Sequence, residues 1–314
     1  MRLSACLIVR DEAVDLPRAL ASLDGAVDEI VVVDTGSRDP TPEIARAAGA
    51  RVIEIEWPND FAAARNRAID EATGDWCLSI DADEELATPR VQIDPAAHGM
   101  TVTVRNLMAP GELAAWHDSQ LVRLFRRAPE LRYEGRIHEQ ISPAIARVGG
   151  TIAASTVQIV HHGYARTTAQ GGVDRAKRNL ALLAEALRAT PDDAYLLYQL
   201  GATEKAAGDA AAGEHLARAL AHGGLSTETA ADAHMKLAQL ALAAGDDARA
   251  IELARACLAL VPNNVTALQT VVVGCATLGR LAEARTACRA LLACANLSTP
   301  SRNDLEQLLQ ALGG

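Results

Sequence analysis

Two aspartates stand one residue apart at the end of an apolar run, Trp76-Cys77-Leu78-Ser79-Ile80-Asp81-Ala82-Asp83-Glu84-Glu85. Carboxylates at that spacing suit a hard divalent cation. They repel a phosphate directly, so Mg²⁺ or Mn²⁺ would have to stand between them and a phosphorylated ligand such as a nucleoside diphosphate. The run before them reads as a strand buried to its last residue, which delivers the pair to the carboxyl edge of a sheet, where open α/β folds bind ligands. The bland alternative is a solvated acidic loop, and a lone D-x-D does not exclude it; the strand placement argues against it.

Other segments carry residues able to meet such a ligand. Val33-Asp34-Thr35-Gly36-Ser37-Arg38-Asp39-Pro40-Thr41 closes a strand, and Asp34 at its exit could accept from a base N–H or a ribose hydroxyl. Asp39 or Thr41 could equally cap the helix beginning at Pro42. Asn59 or Asp60 caps a helix through Phe61, and Arg65, just over a turn inside, could reach a base carbonyl or a phosphate, whereas Arg67 reads as a solvated helix arginine. Glu139, in Tyr133-Glu134-Gly135-Arg136-Ile137-His138-Glu139, could take the proton of an attacking hydroxyl, or merely pair with Arg123 or Arg136. His161, in His161-His162-Gly163-Tyr164, could complete a metal shell as a neutral imidazole, or be a polar strand end.

Positioning these residues requires alternating strands and helices. Continuous β-branched runs at Leu3–Val9, Glu29–Val33 and Arg51–Glu56 alternate with helical patterns near Ala13–Ser22, Pro42–Ala48 and Phe61–Ala72, and Trp76–Ile80 is a fourth strand. That alternation predicts a parallel sheet with right-handed crossovers. From about Thr101 to Val160 the pattern changes to short extended pieces, with Val122–Phe125 and Thr151–Ile159 the clearest, and a helix over Arg178–Leu187 leads onward. Beyond Pro191 the chain is helical and repetitive. Gly208-Asp209, Gly245-Asp246 and Gly279-Arg280 punctuate amphipathic helix pairs at intervals of 37 and 34 residues, with a terminal helix Arg302–Leu312 as cap. The expected domains are 1–168, a connecting helix 169–190, and repeats over 191–314.

The 314 residues carry a formal net charge of −10, with 17 basic against 25 acidic residues in 1–170. An acidic first half argues against nucleic-acid binding, which needs a basic footprint, and makes a cation more necessary for an anionic ligand. Six cysteines without a C-x-x-C pair read as core thiols. Ala5–Val9 is too short for a secretory signal or a membrane span, so a cytoplasmic protein without a transmembrane segment is expected.

Together the strings CLIVRDEAVDL, IVVVDTGSRDPT, NDFAAARNRAI, GDWCLSIDADEEL, RLFRR, YEGRIHEQI, HHGY and KRNLALL, across about residues 3–187, resemble a family 2 glycosyltransferase of the GT-A fold, of the bacterial kind with carboxyl-terminal tetratricopeptide repeats. The resemblance implies an α/β GT-A domain followed by an all-α repeat domain. It implies an enzyme that transfers a sugar from a nucleotide-diphosphate donor with inversion and needs a divalent cation, Mg²⁺ or Mn²⁺. Glu12, Asp34, Arg65 and Asp81 match positions for the nucleotide-sugar, Asp83 and His161 positions for the metal, and Glu139 the catalytic base. Asp11 stands where the family commonly has asparagine. A protein, a saccharide or a lipid-linked precursor would be the acceptor, and the repeats would recruit it, bind a protein partner or form a homodimer.

Two other classes compete. Haloacid-dehalogenase phosphatases also open on D-x-D, but expect Gly-Thr or a similar pair where Glu84-Glu85 stand. A non-catalytic tetratricopeptide scaffold with a degenerate transferase domain is the remaining alternative, and intact Asp34, Arg65, Asp81, Asp83 and Glu139 weigh against it.

Overall fold

The computed structural model describes residues 1–109, 112–163 and 169–312. The chain forms two units, Met1–Met108 with Trp116–Arg166, and Ala109–Ala115 with Thr167–Gly314.

In the first unit, strands β1 (Leu3–Val9), β2 (Glu29–Asp34), β3 (Arg51–Glu54) and β4 (Trp76–Ser79) run parallel, linked by helices α1 (Leu16–Leu23), α2 (Thr41–Ala47) and α3 (Phe61–Glu71). All four residues of β4 are buried and β1 nearly so, which is why both read as continuous apolar runs. One sheet face packs Leu7, Trp76 and Leu78 with Leu16, Leu20 and Leu23 of α1, and the other packs Cys6, Val31 and Phe125 with Ala68 and Ile69 of α3.

Four more strands, β5 (Glu84–Leu86), β6 (Gly99–Leu107), β7 (Trp116–Arg126) and β8 (Ile152–His161), extend the sheet to the order β3-β2-β1-β4-β7-β6-β8-β5, with α4 (Ser142–Arg147) between β7 and β8. Where the sequence suggests short extended pieces, β6 and β7 are strands of nine and eleven residues. β7 pairs antiparallel with β4 and β6, and β8 lies parallel to β6. The crossing after β4 matters most. Two strands separate β4 from β8 in the sheet, yet the chain leaving β4 passes through Asp81-Ala82-Asp83 and pairs Glu84–Leu86 with His161–Ile159. The ladder partner of Glu84 is His161, and this sets Asp83 beside that imidazole.

The second unit begins with α5 (Ala169–Ala189) and stacks three helix pairs: α6 (Ala194–Ala207) with α7 (Ala212–His222), α8 (Thr227–Ala243) with α9 (Asp247–Leu260), and α10 (Val265–Thr277) with α11 (Leu281–Leu292). Gly208, Gly245 and Gly279 end the first helix of each pair at φ +76°, +78° and +71°, a left-handed turn that favours glycine. A last helix, α12 (Thr299–Ala311), places Leu305 in the core built by Ala254, Leu268, Cys288 and Leu291. Ala109–Ala115, the link between β6 and β7, belongs to this unit: Ala114 bridges Leu297, and the Ala115 N–H donates to the Asn296 carbonyl at 2.9 Å. All six cysteines are buried and unpaired. Among the described residues no helix is long and apolar enough to cross a membrane.

Candidate functional site

Helix α3 organises the site. Its inward face carries Ala62, Ala64, Arg65, Ala68 and Ile69, so small side chains let the helix lie close to the sheet while one long cation reaches the strand ends. Asp60 caps it, accepting from the Ala63 N–H at 2.9 Å. The Arg65 guanidinium, with 9% of its side chain exposed, donates to three acceptors: Nε to Glu139 Oε1 at 2.5 Å, Nη1 to Ser79 Oγ at 2.8 Å and Nη2 to Asp81 Oδ1 at 2.8 Å. Burial opposes its charge, but Asp81 and Glu139 outweigh that and hold it firmly protonated.

The loop bearing Glu139 is closed at its base by paired backbone bonds between Glu134 and Gln140, each 3.0 Å. Helix α3 grips it beyond the Arg65 bond. The Asn66 side chain donates to the Tyr133 carbonyl at 3.0 Å and accepts from its N–H at 2.8 Å, and the Phe61 N–H donates to the Arg136 carbonyl at 2.8 Å. Inside the loop His138 takes φ +54°, a costly conformation for a residue with a Cβ, of the kind that clusters at functional sites. Glu139 pairs with Arg65, 74 residues away, an ion pair that short-range sequence patterns do not reveal.

The D-x-D turn separates its two carboxylates. Asp81 Oδ1 accepts from Arg65, and its Oδ2 accepts from Arg123 Nη2 at 3.1 Å. Burial would raise the Asp81 pKa, but the two guanidiniums hold it well below the usual carboxylate range. Glu84, only 3% exposed, accepts from the Asp81 N–H at 2.8 Å and lies 3.5 Å from Arg123. Asp83 faces the other way. Its Oδ2 lies 3.2 Å from His161 Nε2, and His161 Nδ1 lies 2.9 Å from Asn106 Oδ1. Burial would depress the His161 pKa, but the bond to Asp83 and the charges of Asp83, Glu84 and Asp81 raise it above the ordinary imidazole value.

Asp83 and His161 fit a divalent cation, since a carboxylate oxygen and an imidazole nitrogen converge on one space. A Cβ built on Gly163 would fall 2.5 Å from both atoms, so any other residue at 163 would press on both donors. Among the described residues no third His, Cys, Asp or Glu joins them. The two aspartates thus have different partners, Asp81 the guanidiniums of Arg65 and Arg123 and Asp83 the imidazole of His161.

At the ends of β1 and β2 the acidic residues first serve the backbone. Asp34, 2% exposed, accepts from the Gly36 and Ser37 N–H groups at 2.9 and 2.8 Å and from Ser37 Oγ at 2.5 Å, so both its oxygens already hold the turn. Asp39 accepts from the Thr41 and Ala13 N–H groups at 3.0 and 3.1 Å, tying the two turns together as a cap-like brace. The Glu12 N–H donates to Thr41 Oγ1 at 2.8 Å. Asp11 has φ +56° and accepts from the Arg38 N–H at 2.7 Å. Aspartate and asparagine share tolerance of left-handed backbone, which accounts for either at this position.

Asn66, Asn106, Glu84 and Gly163 escape the sequence reading. A signal existed for Asn106: it is the polar member of the buried alternation Met100, Val102, Val104, Asn106. The Asp81 bonds give one expectation of pH dependence. The folded pKa lies below the unfolded value, about 3.9, so the stabilisation is present above that value and is lost as pH falls through it towards the folded pKa. In urea melts the gap between wild type and Asp81→Asn should stay constant from pH 7 to 5 and narrow below about pH 4; a gap unchanged down to pH 3 would contradict the assignment.

A family model described as Glycosyl transferase family 2 matches residues 4–137. A TPR repeat-containing protein of Synechococcus elongatus is 42% identical over 214 residues, 64% of this chain and 51% of that protein. An uncharacterized glycosyltransferase of Rickettsia felis is 41% identical over 86 residues, 27% of this chain and 30% of its own length. The chain thus spans about half or less of these relatives. Among solved structures, S. aureus TarS 1-349 aligns with a TM-score of 0.41 at 15% identity, over 91% of this chain and 90% of that one.

Proposed function

We propose that this chain, whose residues 4–137 are a family 2 glycosyltransferase domain within a GT-A fold, transfers a sugar from a nucleoside-diphosphate donor to an acceptor nucleophile with inversion at the anomeric carbon. The observation that carries the reading is that the D-x-D turn joins two clusters at one edge of the sheet, Arg65 with Asp81 and Glu139, and Asp83 with His161, drawn from four separate segments.

Asp83 and His161 would hold a divalent cation, which when bound offsets the charge of the donor diphosphate and of the leaving group. The arginines nearby cannot replace it, because Arg65 and Arg123 are committed to Asp81, Glu84 and Glu139. Glu139 is the base. As the acceptor oxygen attacks the anomeric carbon and the bond to the diphosphate breaks, the acceptor proton passes to the Glu139 carboxylate, which Arg65 and the α3-anchored loop hold in one orientation. The turns carrying Glu12 and Asp34 form the nucleotide end, with Asp34 shaping the loop and its backbone presenting it. The repeats contribute a stacked-helix surface for the acceptor or a protein partner. Six unpaired buried thiols suit a reducing compartment.

Thermal melting with a panel of nucleoside diphosphates, with and without Mn²⁺, tests the reading, since a ligand that binds only the folded state stabilises it. One nucleotide should raise the melting temperature only when Mn²⁺ is present, and Asp83→Ala should lose that increment. Equal stabilisation of the variant would remove Asp83 from the metal site, and no stabilisation by any nucleotide would remove the donor reading.

A further inference from the structure

We infer that Asn106 and Gly163 are positioning residues for the cation, Asn106 by fixing which nitrogen of His161 carries the hydrogen and Gly163 by placing no side chain against the other nitrogen and Asp83. The inference rests on the metal reading of Asp83 and His161 and gives roles to two residues, one of them inside the HHGY string, to which the sequence alone assigns none.

The tautomer follows from the surroundings of Asn106. This side chain is buried, 7% exposed, and its Nδ2 lies 3.3 Å from the carbonyl oxygens of Val104 and His117 and 3.3 Å from Ser119 Oγ. Carbonyl oxygens only accept, so the amide nitrogen must face them; the flipped amide would set lone pairs against lone pairs in a buried place. Oδ1 is thereby turned to His161 Nδ1 at 2.9 Å, and since Oδ1 can only accept, Nδ1 must carry the hydrogen. In the neutral ring Nε2 is then the bare nitrogen, and it faces Asp83 Oδ2 at 3.2 Å. Two acceptors aimed at each other at that distance repel unless a second ring proton or a cation stands between them. A hydrogen bond from the second ring nitrogen to a fixed acceptor is the usual way a ligating histidine is oriented.

Gly163 supplies the room. Its φ lies outside the left-handed region, so the backbone would admit any residue. Space is tighter: a Cβ there would sit 2.5 Å from Asp83 Oδ2, 2.5 Å from His161 Nε2 and 3.1 Å from His161 Cε1, so both donor tips would have to shift. The methyl of an alanine would occupy the position from which one ion could touch both donors at about 2.0–2.3 Å.

Nitrogen-15 NMR of the His161 ring in the full chain, with Mn²⁺ alone as the added probe, tests both roles. In the wild type the neutral ring should show the Nδ1–H tautomer, and Asn106→Leu should convert it to a mixture or to Nε2–H. Mn²⁺ should broaden the His161 resonances at a concentration that rises about tenfold or more in Asn106→Leu and at least as much in Gly163→Ala, a variant that leaves the Asn106 bonds intact. An Nε2–H tautomer in the wild type overturns the Asn106 role without recourse to any variant. If Asp83→Ala raises the Mn²⁺ requirement but Asn106→Leu or Gly163→Ala binds within twofold of wild type, the role of that residue is overturned and the metal reading stands. If Asp83→Ala also binds as wild type, the metal reading itself fails.

Discussion

Glu139→Gln is expected to slow sugar transfer by about 10²–10⁴-fold, the range over which a positioned general base acts, while donor affinity changes less than about threefold. Glutamine keeps an oxygen to accept from Arg65 Nε, so the loop should stay where Asn66 and the Phe61 N–H hold it. What is lost is the capacity to take a proton. The rate is read as transfer to water, which stands in for an acceptor, with the nucleotide-sugar matching the nucleotide selected by thermal melting. A loss smaller than tenfold would mean that Glu139 serves only as a partner for Arg65, and the base would have to be sought elsewhere.

The second large effect concerns stability. Arg65→Met should destabilise the first unit by about 3–5 kcal/mol, the cost of breaking a buried ion pair from one side. The methionine leaves Glu139 and Asp81 without their shared cation and Ser79 Oγ without its donor. All three tryptophans, Trp57, Trp76 and Trp116, lie in this unit, so their fluorescence in a urea melt follows it apart from the repeats. Adding Glu139→Gln to Arg65→Met should cost less than the two single effects summed, because the second change removes a charge the first left unpaired. Strict additivity would show that the two side chains do not share one interaction.

The four parallel strands were legible because strands buried on both faces are written as unbroken runs such as Leu3–Val9 and Glu29–Asp34. The helix pairs were legible from glycines at fixed intervals, and the six cysteines read as core thiols are all buried. β7 was not, since its outer half, Trp116–Gln120, is mostly exposed and polar and carries no apolar rhythm. Nor was the pairing of β5 with β8, which is a matter of register between residues 77 apart, Glu84 and His161. The site divides along the same line. Each of Arg65, Asp81, Asp83, Glu139 and His161 sits in a local string with a readable motif, but the contacts joining them span up to 78 residues. Gly163 stands in the HHGY string, but only the atoms a side chain would strike there give it a role.

The family match ends at residue 137, before Glu139, before β8 and before His161 and Gly163. A fragment excised at that limit would carry the D-x-D sequence without Glu139 or His161. It would also strip β6 and β5 of the strand that lies between them, baring two rows of unpaired backbone groups that invite intermolecular stacking. Anyone shortening this gene should therefore carry the cut beyond residue 163 or expect an insoluble product.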